Sequence, residues 1–116
     1  MLFVCYSRCS TCAKAKKWLE GQRLAFDQRD IKGENPKAAE LKDWHQKSGL
    51  PIKRLFNTSG IPYRQLKLKD RLALMSDDDC YDLLATDGML VKRPVLVSGD
   101  TVLFGFDESA WAKALL

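Results

Sequence analysis

Ser7-Arg8-Cys9-Ser10-Thr11-Cys12 follows the apolar run Leu2-Phe3-Val4-Cys5-Tyr6 and opens a helical segment, Ala13 to Glu20. A strand that enters a helix through Cys-x-x-Cys sets the first thiol at the end of the loop and the second one turn into the helix. Both can then lie on one side, close enough to bond. The first thiol also meets the unpaired N–H groups and the positive dipole end of the helix, which stabilise a thiolate. A lowered thiol pKa makes a cysteine reactive near neutral pH. Arg8 adds a nearby positive charge.

Two plainer readings of the pair stay open. It could be half of a zinc site, but such sites usually need a second cysteine pair or two histidines. Only Cys5, Cys80 and His45 remain, isolated from one another, so no metal is expected. It could also be two inert thiols, since free cysteine packs like a small hydrophobe. The strand-to-helix setting favours thiol redox chemistry over both.

The rest of the chain limits the setting. At 116 residues, one domain (1–116) is the natural expectation, with 46% hydrophobic residues for a core and 29% charged residues for a surface. No apolar run approaches the roughly 20 residues of a membrane span, and Leu2 to Tyr6 is too short for a signal-peptide core. A cytoplasmic protein is therefore expected, and in a reducing cytosol Cys-x-x-Cys points to catalysis or regulation rather than a structural staple. The net charge of +4 is modest. Lys14, Lys16 and Lys17, and the run Arg64, Lys67, Lys69 and Arg71, lack interleaved aromatics. They read as solvated surface, not as a nucleic-acid interface, although an acidic protein partner would fit. A monomer is the simplest expectation.

Taken in order, Leu2 to Tyr6 reads as a buried strand containing Cys5. Cys12, Ala15 and Leu19, with Trp18 beside them, mark the inner face of the first helix, and Gly21 is its stop. Leu24 to Ile31 reads as a second strand, completing a right-handed parallel βαβ unit. Asn35-Pro36 starts a helix as cap and first turn, which runs to about Lys47 with Ala38, Leu41 and Trp44 inward and stops at Gly49-Leu50-Pro51. His45 in it is a surface or boundary residue. Ile52 to Phe56 and Arg64 to Leu68 are further short helices. Ser76-Asp77-Asp78-Asp79 is a capping box for a helix that holds a structural Cys80 and ends near Asp87-Gly88. Pro94 opens a strand, Ser98-Gly99-Asp100 turns, and Thr101 to Phe106 returns. Asp107 caps a last helix with Ala110, Trp111, Ala114 and Leu115 inward.

The order βαβ, helical middle, ββα predicts an α/β fold of thioredoxin type. It has a mixed four-stranded sheet and a helical insertion over about 33–90. Cys9-Ser10-Thr11-Cys12, Leu55-Phe56-Asn57-Thr58-Ser59-Gly60 and Arg93-Pro94-Val95, in this order, also resemble the arsenate reductase (ArsC)/Spx family. The resemblance covers essentially the whole chain. In the ArsC branch it implies a cysteine at Cys9 that attacks arsenate, an adduct resolved by glutathione and glutaredoxin, and three arginines around the oxyanion. In the Spx branch it implies a Cys9–Cys12 redox switch in a regulator that binds RNA polymerase.

Arg93 matches one of the three arginines. Asn57 and Gly105 stand where the other two are expected, and Cys12 where the glutathione-dependent enzymes have serine. Bidentate guanidinium contacts are strong oxyanion ligands, so these departures remove much of the expected hold on arsenate. The resemblance places Ser10, Thr11, Asn57, Arg93 and Pro94 at the anion site, with Pro94 matching a proline kept cis beside the active cysteine. The expected chemistry is attack by Cys9, closure of a Cys9–Cys12 disulfide, and reopening by an external thiol, glutathione, glutaredoxin or thioredoxin, with no bound cofactor. A redox-switched regulator and a thioredoxin-fold protein with vestigial cysteines are the competing readings.

Overall fold

A computed structural model describes residues 1–116. β1 (Leu2–Cys5), β2 (Asp27–Asp30), β3 (Val95–Ser98) and β4 (Thr101–Phe104) form one sheet in the order β2-β1-β3-β4. β1 and β2 are parallel, with Leu2 opposite Asp27. β3 is antiparallel to both β1 and β4, with Phe3 opposite Leu96 and Leu96 opposite Leu103. α1 (Ser10–Gly21) joins the parallel pair, and α6 (Glu108–Leu115) follows the hairpin. Between β2 and β3 lie α2 (Ala38–Ser48), α3 (Ile61–Gln65), α4 (Leu68–Arg71) and α5 (Asp77–Leu84), joined by 3₁₀ turns. This is the expected mixed sheet with a helical insertion. No helix is long and apolar enough to cross a membrane.

The sheet's period of two sorts the core into two halves. Phe3, Cys5 and Leu96 pack with Cys12, Ala15 and Leu19 of α1 and with Trp111 of α6. Val4, Val95, Val102 and Phe104 face the other way, onto Leu41, Trp44, Tyr81 and Leu84 of the insertion.

Several boundaries differ from the sequence reading, each for a local reason. β2 is shorter than Leu24–Ile31 because its β1 partners begin at Leu2; Leu24 and Phe26 instead pack as a lead-in against the α1 side of the core. α1 runs through Gly21, and Arg23 takes the left-handed conformation at φ 57°. Asn35 does not cap α2: its side-chain amide donates to the Ala85 carbonyl at 2.6 Å, and Lys37 takes the N-cap position without a side-chain bond. The helix expected over Arg64–Leu68 is broken by Lys67 at φ 53°, giving α3 and α4. α5 ends at Leu84, and Asp87 starts a separate 3₁₀ turn by accepting from the Met89 N–H at 2.8 Å.

α6 buries only Trp111, with Leu115 half-buried, while Ala110 and Ala114 are exposed. Its two turns meet the sheet along one i, i+4 stripe, so the flanking alanines stay outside. The Ser76 capping box, the Asp107 cap and the left-handed Gly49 after α2 match the sequence.

Candidate functional site

Cys9 is the N-cap residue of α1, with extended backbone angles of φ −95° and ψ 119°. Its carbonyl accepts the first helical bond, from the Ala13 N–H at 3.1 Å. Its sulfur takes the place of a capping oxygen and accepts from the Cys12 N–H at 3.4 Å. The helix terminus thus holds the sulfur by a donor that would otherwise be unsatisfied. Cys12, one turn on, points into the core at 3% exposure, and its sulfur accepts from the Tyr6 N–H at 3.4 Å. All four cysteines are free thiols.

The two thiols of the pair are pushed in opposite directions. Burial alone would raise Cys9, but hydrogen bonds from the Cys12 N–H and S–H, together with the Arg93 guanidinium, outweigh it and hold the thiol below its ordinary range. Burial dominates at Cys12, and the neighbouring Cys9 adds to it; its thiol is pushed up to about 12. The cation that acts on Cys9 is Arg93, reaching it from the lead into β3, whereas Arg8 lies exposed in the preceding turn.

Arg93 is placed by the sheet and the insertion together. Phe56 and Val91 form an isolated antiparallel bridge. It is framed by the Asn57 N–H on the Leu90 carbonyl at 2.7 Å and the Lys92 N–H on the Leu55 carbonyl at 2.8 Å. This zips the turn after Leu55 onto the segment leading to β3. The Arg93–Pro94 peptide bond is cis. The Pro94 carbonyl accepts from the Gly105 N–H at 2.8 Å, and the Gly105 carbonyl accepts from the Trp111 indole at 3.0 Å. The guanidinium lies over the Tyr6 ring, 5.6 Å from its centre, and its Nη1 donates to the Met89 carbonyl at 3.4 Å. Its Nε is buried with no partner, a donor left over for one further acceptor.

Cys9, Thr11, Asn57 and Arg93 line one cavity of about 310 Å³. Ser10, exposed in the first turn of α1, and Pro94, buried next in the chain after Arg93, do not line it. Ser59, Gly60, Ile61 and Lys92 complete the lining. The Asn57 side-chain oxygen accepts from the Ser59 hydroxyl at 3.4 Å, which leaves its NH₂ as a donor. Lys92 adjoins Arg93 but belongs to no motif of the sequence, and Ser59 enters there only within the Leu55–Gly60 stretch. Two cations and several neutral donors therefore surround a thiol held toward its thiolate, with no carboxylate in the lining. Such a site suits an anion or a polarised sulfur.

The remaining candidates lie elsewhere. Cys5 is buried, and burial pushes its thiol up even though the Gln28 amide donates to its sulfur at 3.3 Å. Cys80 is fully buried, and burial raises it as well. His45 is half-buried with both ring nitrogens engaged, Nε2 with the Leu50 carbonyl at 2.8 Å and Nδ1 with the Tyr81 hydroxyl at 2.6 Å. A carbonyl only accepts, so Nε2 carries the hydrogen; the ring braces α2 against α5. No three His, Cys, Asp or Glu side chains converge into a metal-binding group.

An Arg93→Ala variant should move the pH profile of Cys9 alkylation upward. Loss of the guanidinium destabilises the thiolate, so the rate below the inflection falls severalfold while the high-pH plateau changes little. Stopped-flow alkylation against pH reads this directly. A curve that overlays the parent's would mean that Arg93 does not tune the thiol.

Residues 5–114 match the ArsC family. The chain is 47% identical over 113 residues to the uncharacterized protein YusI of Bacillus subtilis, covering 97% of this chain and 96% of that one. It is 25% identical over 101 residues to the global transcriptional regulator Spx of Staphylococcus aureus, covering 86% and 75%. The crystal structure of an ArsC-family-related protein from Bacteroides fragilis superposes with a TM-score of 0.94 at 48% identity, over 97% of this chain and 94% of that one. An arsenate reductase from Vibrio cholerae superposes at 0.78 with 26% identity, over 90% and 89%. With a thiol-bearing helix terminus, an arginine before the third strand and a match that runs nearly end to end, this chain belongs to the ArsC family.

Proposed function

We propose that the protein is a cytoplasmic thiol/disulfide oxidoreductase in which Cys9 is the nucleophile and Cys12 the resolving thiol. The observation that carries the reading is the placement of the two sulfurs: Cys9, half-buried, caps α1 and accepts from a helix N–H, whereas Cys12, one turn on, is buried at 3% exposure. In the first step the Cys9 thiolate attacks one sulfur of an oxidised substrate. The substrate S–S bond breaks, a Cys9 mixed disulfide forms, and the released thiolate takes up a proton. Forming the adduct removes the negative charge on Cys9. The two contributions of Cys9 that raise Cys12, its hydrogen bond and its charge, then vanish, while the Tyr6 N–H remains to stabilise a thiolate at Cys12. Cys12 attacks the Cys9 sulfur, the Cys9–substrate S–S bond breaks, and the second substrate sulfur leaves as a thiol with the proton given up by Cys12, closing a Cys9–Cys12 disulfide. An external thiol, glutathione, glutaredoxin or thioredoxin, returns both sulfurs to the reduced state.

Arsenate ranks behind disulfides as a substrate. Its charge of one to two near neutral pH would meet one guanidinium and the Lys92 ammonium, with neutral Asn57 and Ser59 as further donors. A second reading, a redox-switched regulator that binds RNA polymerase, draws on relatives named as regulators: Spx, and MgsR of Bacillus subtilis at 26% identity. A partner captured only in one redox state would support it.

The test is a Cys12→Ser variant treated with glutathione disulfide and analysed by peptide mass mapping. It should accumulate a mixed disulfide on Cys9, whereas the parent passes on to the Cys9–Cys12 disulfide. If the variant stays unmodified while the parent still oxidises, or if modification falls on Cys5 or Cys80, the assignment of roles is wrong.

A further inference from the structure

A cavity of about 480 Å³ does not contain Cys9 but shares lining residues with the cavity that does. Thr11 and Lys92 line both, so these residues mark the junction of the two. Lys92 holds its place through two features. Its N–H is tied to the Leu55 carbonyl at 2.8 Å. Its aliphatic stem lies across Gly105, where an added Cβ would come within 3.0 Å of Lys92 Cε and 3.7 Å of Cγ. The missing side chain leaves the room that the stem occupies, and the residue borders both cavities.

The charge around this junction is one-sided. Arg54, Lys92 and Arg93 line the two cavities, against a single carboxylate, Asp107. That carboxylate is already engaged: its Oδ1 accepts from the Ala110 N–H at 3.2 Å as the cap of α6. The walls of the larger cavity are otherwise mostly apolar, among them Leu50, Phe106 and Trp111. Its size falls within the range of small-molecule sites, about 300–1,000 Å³.

We infer that Lys92 is a specificity-determining anchor, which holds a carboxylate of a peptidic disulfide lying across both cavities with its S–S bond at Cys9. This deepens the oxidoreductase reading above and rests on it. The exchange is the balanced one already given: Cys9 and Cys12 are oxidised to a disulfide, the substrate is reduced to two thiols, and Lys92 contributes charge without bonding to sulfur. Its ammonium meets the carboxylate of the substrate while Arg93 stays with the sulfur.

The experiment compares two oxidants of the reduced protein, anionic glutathione disulfide and neutral hydroxyethyl disulfide, in the parent, Lys92→Gln and Lys92→Arg. The readout is the ratio of the two second-order rate constants at low ionic strength. Lys92→Gln should lower this ratio about fivefold, the upper range for one partly exposed ion pair. Lys92→Arg should restore it, and added salt should lower the parent's ratio toward that of Lys92→Gln. A ratio unchanged in Lys92→Gln overturns the inference. So does an equal loss with both oxidants, which would place the lysine's effect on Cys9 itself. If neither oxidant reacts at Cys9 in the parent, the oxidoreductase reading falls first and takes the inference with it.

Discussion

Cys9→Ser is expected to abolish disulfide exchange, lowering its rate at least about 10³-fold, the scale on which removal of a nucleophile acts, while leaving the fold intact. The asymmetry follows from where Cys9 sits. Its sulfur caps α1 by accepting from the Cys12 N–H, and a serine hydroxyl is among the preferred groups at that position. The helix terminus therefore loses nothing, but the atom that carries the negative charge is replaced by a hydroxyl that stays protonated at neutral pH. Thermal unfolding should match the parent or rise slightly, while oxidation by glutathione disulfide no longer yields a Cys9 adduct. Exchange that survives within tenfold of the parent would mean that another thiol attacks. Cys5 and Cys80 are buried, with thiols raised by burial, so neither is prepared to substitute.

Gly88→Ala is expected to destabilise the protein by about 3 kcal/mol, at the upper end of ordinary overpacking costs. For a chain of this length that lowers the melting temperature by roughly 12 °C. Gly88 is buried, and a Cβ there would collide with the carbonyl oxygen and carbon of Ile31, with the Asn35 side chain close behind. The obstacle is main chain at the end of β2, which cannot swing aside as a side chain could. Conformational freedom is not the issue, since Gly88 is not among the left-handed residues; the requirement is space. The strain would also reach the site, because Gly88 opens the 3₁₀ turn through Leu90 that leads to Lys92 and Arg93. Chemical denaturation should show a lower midpoint with an unchanged slope, and Cys9 alkylation should shift in the direction expected for Arg93→Ala. A stability within about 0.5 kcal/mol of the parent, the range of neutral surface changes, would show that the β2 end can yield.

The local elements were legible because their causes are local. The β1-to-α1 entry, the Cys9 terminus, the Ser76 and Asp107 caps and the Gly49 stop each depend on residues within a turn of one another. The apolar run Leu2 to Tyr6 was legible as a buried strand, but which face of it meets which half of the core came from the packing. Cys9 and Cys12 stood out because Cys-x-x-Cys at a strand-to-helix entry suits thiol chemistry, whereas Arg93 entered through the family resemblance and the residues alone pointed to Arg8 as the nearby cation. Tertiary structure decided everything that depended on distant partners. It spent Asn35 on Ala85 rather than on α2, and left Ala110 and Ala114 outside because α6 lies on the sheet by one stripe. It also joined Ser59 and Lys92 to Cys9 through a bridge between Phe56 and Val91. Periodicity and capping are set by neighbours along the chain. A cavity is set by residues far apart in sequence, whose proximity is decided only when the sheet, the insertion and the last helix pack together.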